Sequence, residues 1–153
     1  MNKLLLLLFA VLSFTACKKD AIVDPQPATS LTDKFAGTYT LSSFRYTDTD
    51  SQVNVDLPTL PMTNNGNTVS GTVSLVKKTD PTVDMRFLMK ATGATDFKLD
   101  LPDLEVRKVG SEYGLFSDDT RIADVEGTII IFNYSETDQQ TKGKTEMAYI
   151  AKR

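Results

Sequence analysis

Apolar and polar residues alternate with a period of two along most of the chain after Phe35. In 68–76, Val69, Val73 and Leu75 alternate with Ser70, Thr72 and Ser74. In 82–91, Val83, Met85, Phe87 and Met89 alternate with Asp84, Arg86 and Lys90, and only Leu88 breaks the rule. Phe97, Leu99 and Leu101 alternate with Lys98 and Asp100. Successive side chains of a strand point to opposite faces, so this pattern predicts strands with one buried and one wet face. The same reading places further strands at 37–46, 52–57, 104–109, 112–116, 121–125, 128–135 and 145–151. Turn-forming clusters separate them: Asn64-Asn65-Gly66-Asn67, Thr79-Asp80-Pro81, Ala91-Thr92-Gly93, Val109-Gly110-Ser111, Ser117-Asp118-Asp119 and Lys142-Gly143-Lys144. The stretch 128–134 is apolar on both sides, Ile129 and Ile131 against Ile130, Phe132 and Tyr134. That predicts a strand buried on both faces, or one whose outer face meets a helix or a partner. Ser30-Leu31-Thr32-Asp33 has a weak capping-box pattern and predicts a short helical turn over 31–36. Many short strands with no room for a substantial helix predict an all-β domain, a sandwich or a barrel.

A different pattern precedes this one. Lys3 is followed by an unbroken apolar run, Leu4 to Val11, and then by Leu12-Ser13-Phe14-Thr15-Ala16 and Cys17. A basic residue, a short apolar core and a small-residue cleavage site make a secretory signal, and the run is too short for the roughly 20 residues of a spanning helix. Phe14-Thr15-Ala16-Cys17 resembles the lipobox of bacterial lipoproteins, with Phe14 where leucine is usual. The resemblance implies a signal helix over 1–16, removed in front of Cys17, and more than one acyl chain, palmitate among them, on the Cys17 thiol. Anchoring that needs two chains is then effectively permanent. Residues 17–30, with Pro25 and Pro27 and no periodicity, read as a lipidated tether, and 31–153 as one domain. Lys18 is not the acidic residue associated with inner-membrane retention, so the expected address is the cell envelope, with the outer membrane favoured.

Composition removes more than it adds. The chain has no histidine and one cysteine. Serine–histidine and cysteine–histidine catalysis, HExxH zinc sites and imidazole proton shuttles are therefore excluded. No GxGxxG or GxxxxGK[ST] occurs. Carboxylate chemistry or a lysine or tyrosine base remains, without a motif, and the domain is read as non-enzymatic, with no cofactor and no metal. The formal charge of −3 is spread without a basic tract, so nucleic acid is not an expected partner. Asp48-Thr49-Asp50-Ser51 superficially looks like a calcium loop, but Thr59 occupies the twelfth place where a glutamate is required. It reads as a solvated turn, as does Asp118-Asp119.

Thr32-Asp33-Lys34-Phe35-Ala36-Gly37-Thr38-Tyr39 is similar to the opening of lipocalins, a short turn entering the first strand through Gly-x-aromatic, with Tyr39 where tryptophan is usual. The order of elements resembles the small lipocalin-like (calycin-type) lipoproteins of Bacteroidota-type bacteria. The resemblance implies an antiparallel up-and-down β-barrel of about eight strands, and a late arginine packed over the first-strand aromatic, for which Arg153 or Lys152 is placed. Such a barrel leaves no strand edge exposed and encloses either side chains or one small ligand. The candidate ligand-binding residues are Tyr39, Phe87, Met89, Tyr113 and Tyr149, lining a cavity for a small hydrophobic molecule. The domain is expected to be a monomer; the competing expectation is that the same residues fill the core and that the domain serves as a structural or interaction accessory of an envelope complex.

Overall fold

The computed structural model describes residues 30–153. The expected export signal, Cys17 and the expected tether up to residue 29 lie outside the described residues. A 3-10 turn, Thr32–Lys34, leads into ten strands: β1 Gly37–Asp48, β2 Val53–Leu57, β3 Met62–Asn64, β4 Asn67–Lys77, β5 Thr82–Ala91, β6 Phe97–Val109, β7 Glu112–Ser117, β8 Thr120–Glu126, β9 Ile129–Thr137 and β10 Lys144–Lys152. Strands β4 to β10 pair antiparallel in chain order, and β1 pairs with both β10 and β4. Eight strands thus close into an antiparallel barrel.

Closure is complete at one end only. Gly37–Thr40 of β1 pair with Leu75–Thr72 of β4. Beyond them the two strands part, β2 pairing with the upper half of β1 and β3 with the first residues of β4. Leu60, on the connection between β2 and β3, is buried in this fork, and its N–H donates to the Ser42 carbonyl at 2.9 Å. Opposite, β4 carries Gly71, where an added Cβ would strike the Leu41 side chain and come within 2.8 Å of the Leu88 carbonyl oxygen. A glycine is what lets the fork close.

The alternation read from the sequence becomes the inside and outside of the barrel. Val73 and Leu75 of β4, Val83, Met85 and Phe87 of β5, Leu115 of β7, Val125 of β8, Ile130 and Phe132 of β9, and Met147, Tyr149 and Ala151 of β10 are buried in one core. The outer faces carry Thr38, Ser74, Arg86, Lys98 and Asp100. An apolar inside and a polar outside are the reverse of an outer-membrane barrel.

Four details differ from the sequence reading. Strand β3 has no alternating pattern, because three exposed residues need only a neighbouring edge. Residues 97–101 and 104–109 are one strand, bent at Pro102-Asp103, where the register with β5 slips between Val83 and Met85. A bulge accommodates a proline that a regular ladder would not. The turn over 31–36 is 3-10 and shorter than expected, and Ser30 does not cap it. The N–H groups of Leu31 and Thr32 point instead to the Asp80 carboxylate at 3.4 Å, across the β4–β5 turn. Finally, β9 buries Ile130 and Phe132 but leaves Ile131 37 % exposed, with no helix over it among the described residues.

Candidate functional site

The two ends of the barrel hold different chemistry. At the closed end, Tyr39 is fully buried and its hydroxyl donates to the Phe35 carbonyl at 2.8 Å. The Arg153 guanidinium lies 5.1 Å from the Tyr39 ring centre, within reach of a cation–π interaction, and donates to the carbonyls of Lys34 at 2.7 Å and Ala36 at 3.0 Å. Phe35 packs against Tyr113 with ring centres 5.0 Å apart. Gly37 has φ +141°, and an added Cβ would sit 3.2 Å from the Arg153 guanidinium. The glycine of Gly-x-Tyr therefore answers both a backbone conformation and a close approach. Burial pushes the Tyr39 hydroxyl pKa up against the opposing pull of the Arg153 charge. Of the two basic residues placed over the first-strand aromatic, Arg153 does the packing, and Lys152 is exposed.

The middle of the barrel is filled. Phe132 and Tyr149 stack face to face at 4.6 Å, Phe87 touches Tyr149 at 5.2 Å, and Phe44 touches Phe87 at 5.5 Å. The Tyr149 hydroxyl crosses the core to the Met85 sulfur at 3.2 Å, a weak acceptor, and burial drives its pKa strongly upward.

Above this aromatic floor the fork between β1 and β4 leaves a cup of about 320 Å³, lined by Phe44, Tyr46, Val55, Met89 and Phe97. Volumes of this order hold small ligands. Phe97 is 48 % exposed, an unusual position for a large aromatic. A larger hollow of about 660 Å³ lies beneath the closed end, between Lys34, Phe35, Glu112, Tyr113, Glu126 and Arg153. It is bounded by turns, by Phe35, Tyr113 and Val125 and by charges of both signs, so its lining is mixed where that of the cup is almost wholly apolar.

The chain matches no protein-family model, no curated protein and no solved structure. The site is therefore read from its geometry alone.

Of the five residues placed in a ligand cavity from the sequence, Met89 lines the cup. Phe87 and Tyr149 form its floor. Tyr39 and Tyr113 sit at the opposite end, in the plug and beside it. Sequence reasoning missed Phe44, Tyr46, Val55 and Phe97. Strict alternation from Tyr39 would turn Phe44 and Tyr46 outward. The register shift between Leu41 and Ser43 turns them in. The signal was present as an apolar spacing of 39, 41, then 44, 46, which marks a bulge. At the mouth, Asp48 accepts from the N–H groups of Asp50 at 3.0 Å and Ser51 at 3.3 Å and from the Ser51 hydroxyl at 2.6 Å. These bonds, the Ser51 hydroxyl first, hold its carboxyl below the usual range. No cluster of three or more acidic or cysteine side chains positioned for a metal occurs among the described residues.

Proposed function

We propose that the barrel is the non-enzymatic domain of a lipid-anchored, extracytoplasmic protein of lipocalin-like type, and that its cup takes a small hydrophobic ligand. The cup carries this reading: five apolar side chains line a recess above a filled aromatic floor, with Phe97 about half exposed and Tyr46, Val55 and Met89 partly open to water. Leaving such surface wet forgoes about 25 cal/mol per Å², and contiguous apolar surface rimmed by polar residues is characteristic of binding sites. The closed-end arrangement of Gly37, Tyr39 and Arg153 supports the lipocalin-like reading, and the lipobox supports Cys17 as the anchor.

The test uses residues 17–153 with Cys17→Ser, so that no detergent competes for the cup. An apolar fluorescent dye is expected to bind at micromolar concentration, and Val55→Asp is expected to weaken it at least tenfold. No binding by the parent protein would remove the ligand reading. It would leave the second one, an accessory of an envelope complex, which the exposed Ile131 on the outer face of β9 favours. Loss of the parent chain from the membrane fraction on Cys17→Ser tests the anchor separately.

A further inference from the structure

The strand registers place the mouth residues in rows. Phe44, Tyr149 and Phe132 are directly opposite one another across β1, β10 and β9. Tyr46, Met147 and Tyr134 form the next row, and Asp48, Thr145 and Glu136 the next. The first row is the aromatic floor, and all three share its inward face because side chains repeat every second residue. The inward lip on this side therefore ends in two carboxylates flanking Thr145, two strand spacings or roughly 10 Å apart. The Tyr134 hydroxyl donates to Glu136 Oε2 at 2.5 Å, holding that carboxylate on the row.

The bases of the same region face the other way. Arg45 is opposite Ala148 and lies on the outer surface beside Asp56, Ala148 and Ile150. Arg86 and Lys98 lie on the outer surface with Asp100. Lys90 alternates outward from Met89. Lys144 pairs with Glu146 at 2.6 Å on the outer face of β10. Among the described residues, no inward strand position at the mouth carries a base. The mouth loops add Asp50, Asp96, Asp118 and Asp138 against Lys142, and Asp119, which Arg107 pairs at 3.3 Å. The cup is thus an apolar recess, walled by Phe44, Tyr46 and Phe97, that faces an excess of negative charge.

Building on the proposed ligand site, we infer that its ligand is an organic cation: an apolar body with an amine or quaternary ammonium group at one end. The body occupies the recess, and the positive end lies between the aromatic faces and the lip carboxylates. Ring faces attract cations through their quadrupoles, and Asp48 and Glu136 add direct Coulomb attraction at the lip. An anionic ligand of the same length would meet repulsion at the same place and find no inward base.

Three probes with one chain length separate the possibilities: decyltrimethylammonium, decanoate and decanol, each titrated calorimetrically below its micelle concentration into residues 17–153 carrying Cys17→Ser. The cation is expected to bind roughly tenfold more tightly than either of the others. Asp48→Asn with Glu136→Gln should bring the three close together. The substitutions lie at the lip and keep an acceptor in the Asp48 turn, so the circular dichroism spectrum should be retained, with a small fall in melting temperature from the lost carboxylate bonds. Raising the ionic strength well above about 0.1 M should narrow the preference in the parent protein. Equal binding of the three probes, or tighter binding of decanoate, would overturn the cation inference and leave the apolar site standing. Binding of none would overturn both.

Discussion

At the plugged end the eight strands meet in an unbroken ring, and every large group is spoken for: Tyr39 donates to Phe35, Arg153 to Lys34 and Ala36, and the 3-10 turn is held by Asp80. At the mouth the same strands have parted, β2 and β3 bring edges that pair on one side only, and Phe97, Val53 and Met62 stand exposed. One end is organised by satisfied backbone groups and dense packing, the other by what it leaves uncovered. Stability and the proposed binding therefore fall to different halves of one barrel, and substitutions should separate them.

The largest expected separation is between Tyr39 and Phe97. Tyr39→Ala empties a fully buried aromatic position and strips the Phe35 carbonyl of its donor, for a cost of about 3–5 kcal/mol. Phe97→Ala removes a ring that is 48 % exposed, and the expected cost is about 1 kcal/mol or less. Urea-denaturation midpoints measure both. A Phe97→Ala penalty as large as that of Tyr39→Ala would mean that the mouth belongs to the core and that the two halves are not separate.

Alkaline pH sharpens the comparison, because it acts on buried hydroxyls. The Tyr149 pKa is raised in the folded protein, by burial; Tyr39 moves the same way. Tyr134, at the mouth, is also raised, first through its bond to Glu136. A raised folded pKa means that the unfolded chain loses its proton first. The contribution is then fully present below the unfolded value of about 10 and is lost as pH rises above it. For Tyr149 the expected slope is about 1.4 kcal/mol per pH unit above pH 10. Tyr149→Phe keeps the ring and its stack on Phe132, so it should leave stability near pH 7 little changed and flatten the alkaline limb. An unchanged limb would show that Tyr149 ionises freely and that its burial is not maintained.

Most of the barrel was legible in the sequence, because one-face burial writes itself as period-two alternation. Strands β4, β5 (Leu88 apart) and the first half of β6 show it most clearly. The filled centre was legible as composition but not as position. Phe87, Met89 and Tyr149 share the inward set with Tyr39 and Tyr113, and alternation alone assigns no height along the barrel axis. Height comes from register, which depends on pairings between distant segments. The cup was hidden for a related reason. It depends on the bulge at Ser42, which reverses the facing of Phe44 and Tyr46, and on the parting of β1 from β4 around Leu60. The lip charges were visible as residues but not as a set, since Asp48 and Glu136 become neighbours only through Thr145.

The smallest expected effect concerns Arg153 and its neighbour. Both Lys152 and Arg153 are exposed and basic at the end of β10, so charge alone would make them equivalent. Geometry does not. The Arg153 fork satisfies two carbonyls of the plug and covers the Tyr39 ring, whereas Lys152 makes no side-chain hydrogen bond or ion pair among the described residues. Arg153→Ala should cost about 1–2 kcal/mol, discounted from a buried charged hydrogen bond because water reaches the guanidinium. That corresponds to a fall of several degrees in melting temperature, about 3–8 °C for a domain of this size. Lys152→Ala should stay within about 0.5 kcal/mol. Arg153→Lys restores the charge but not the planar pair of donors and should recover only part of the loss. None of the three should alter dye binding at the mouth, since the plug and the cup are separated by the stack of Phe132 on Tyr149. Equal losses at Lys152 and Arg153 would reduce the plug to a general charge effect, whereas a loss confined to Arg153 with unchanged binding would fix the division between the two ends.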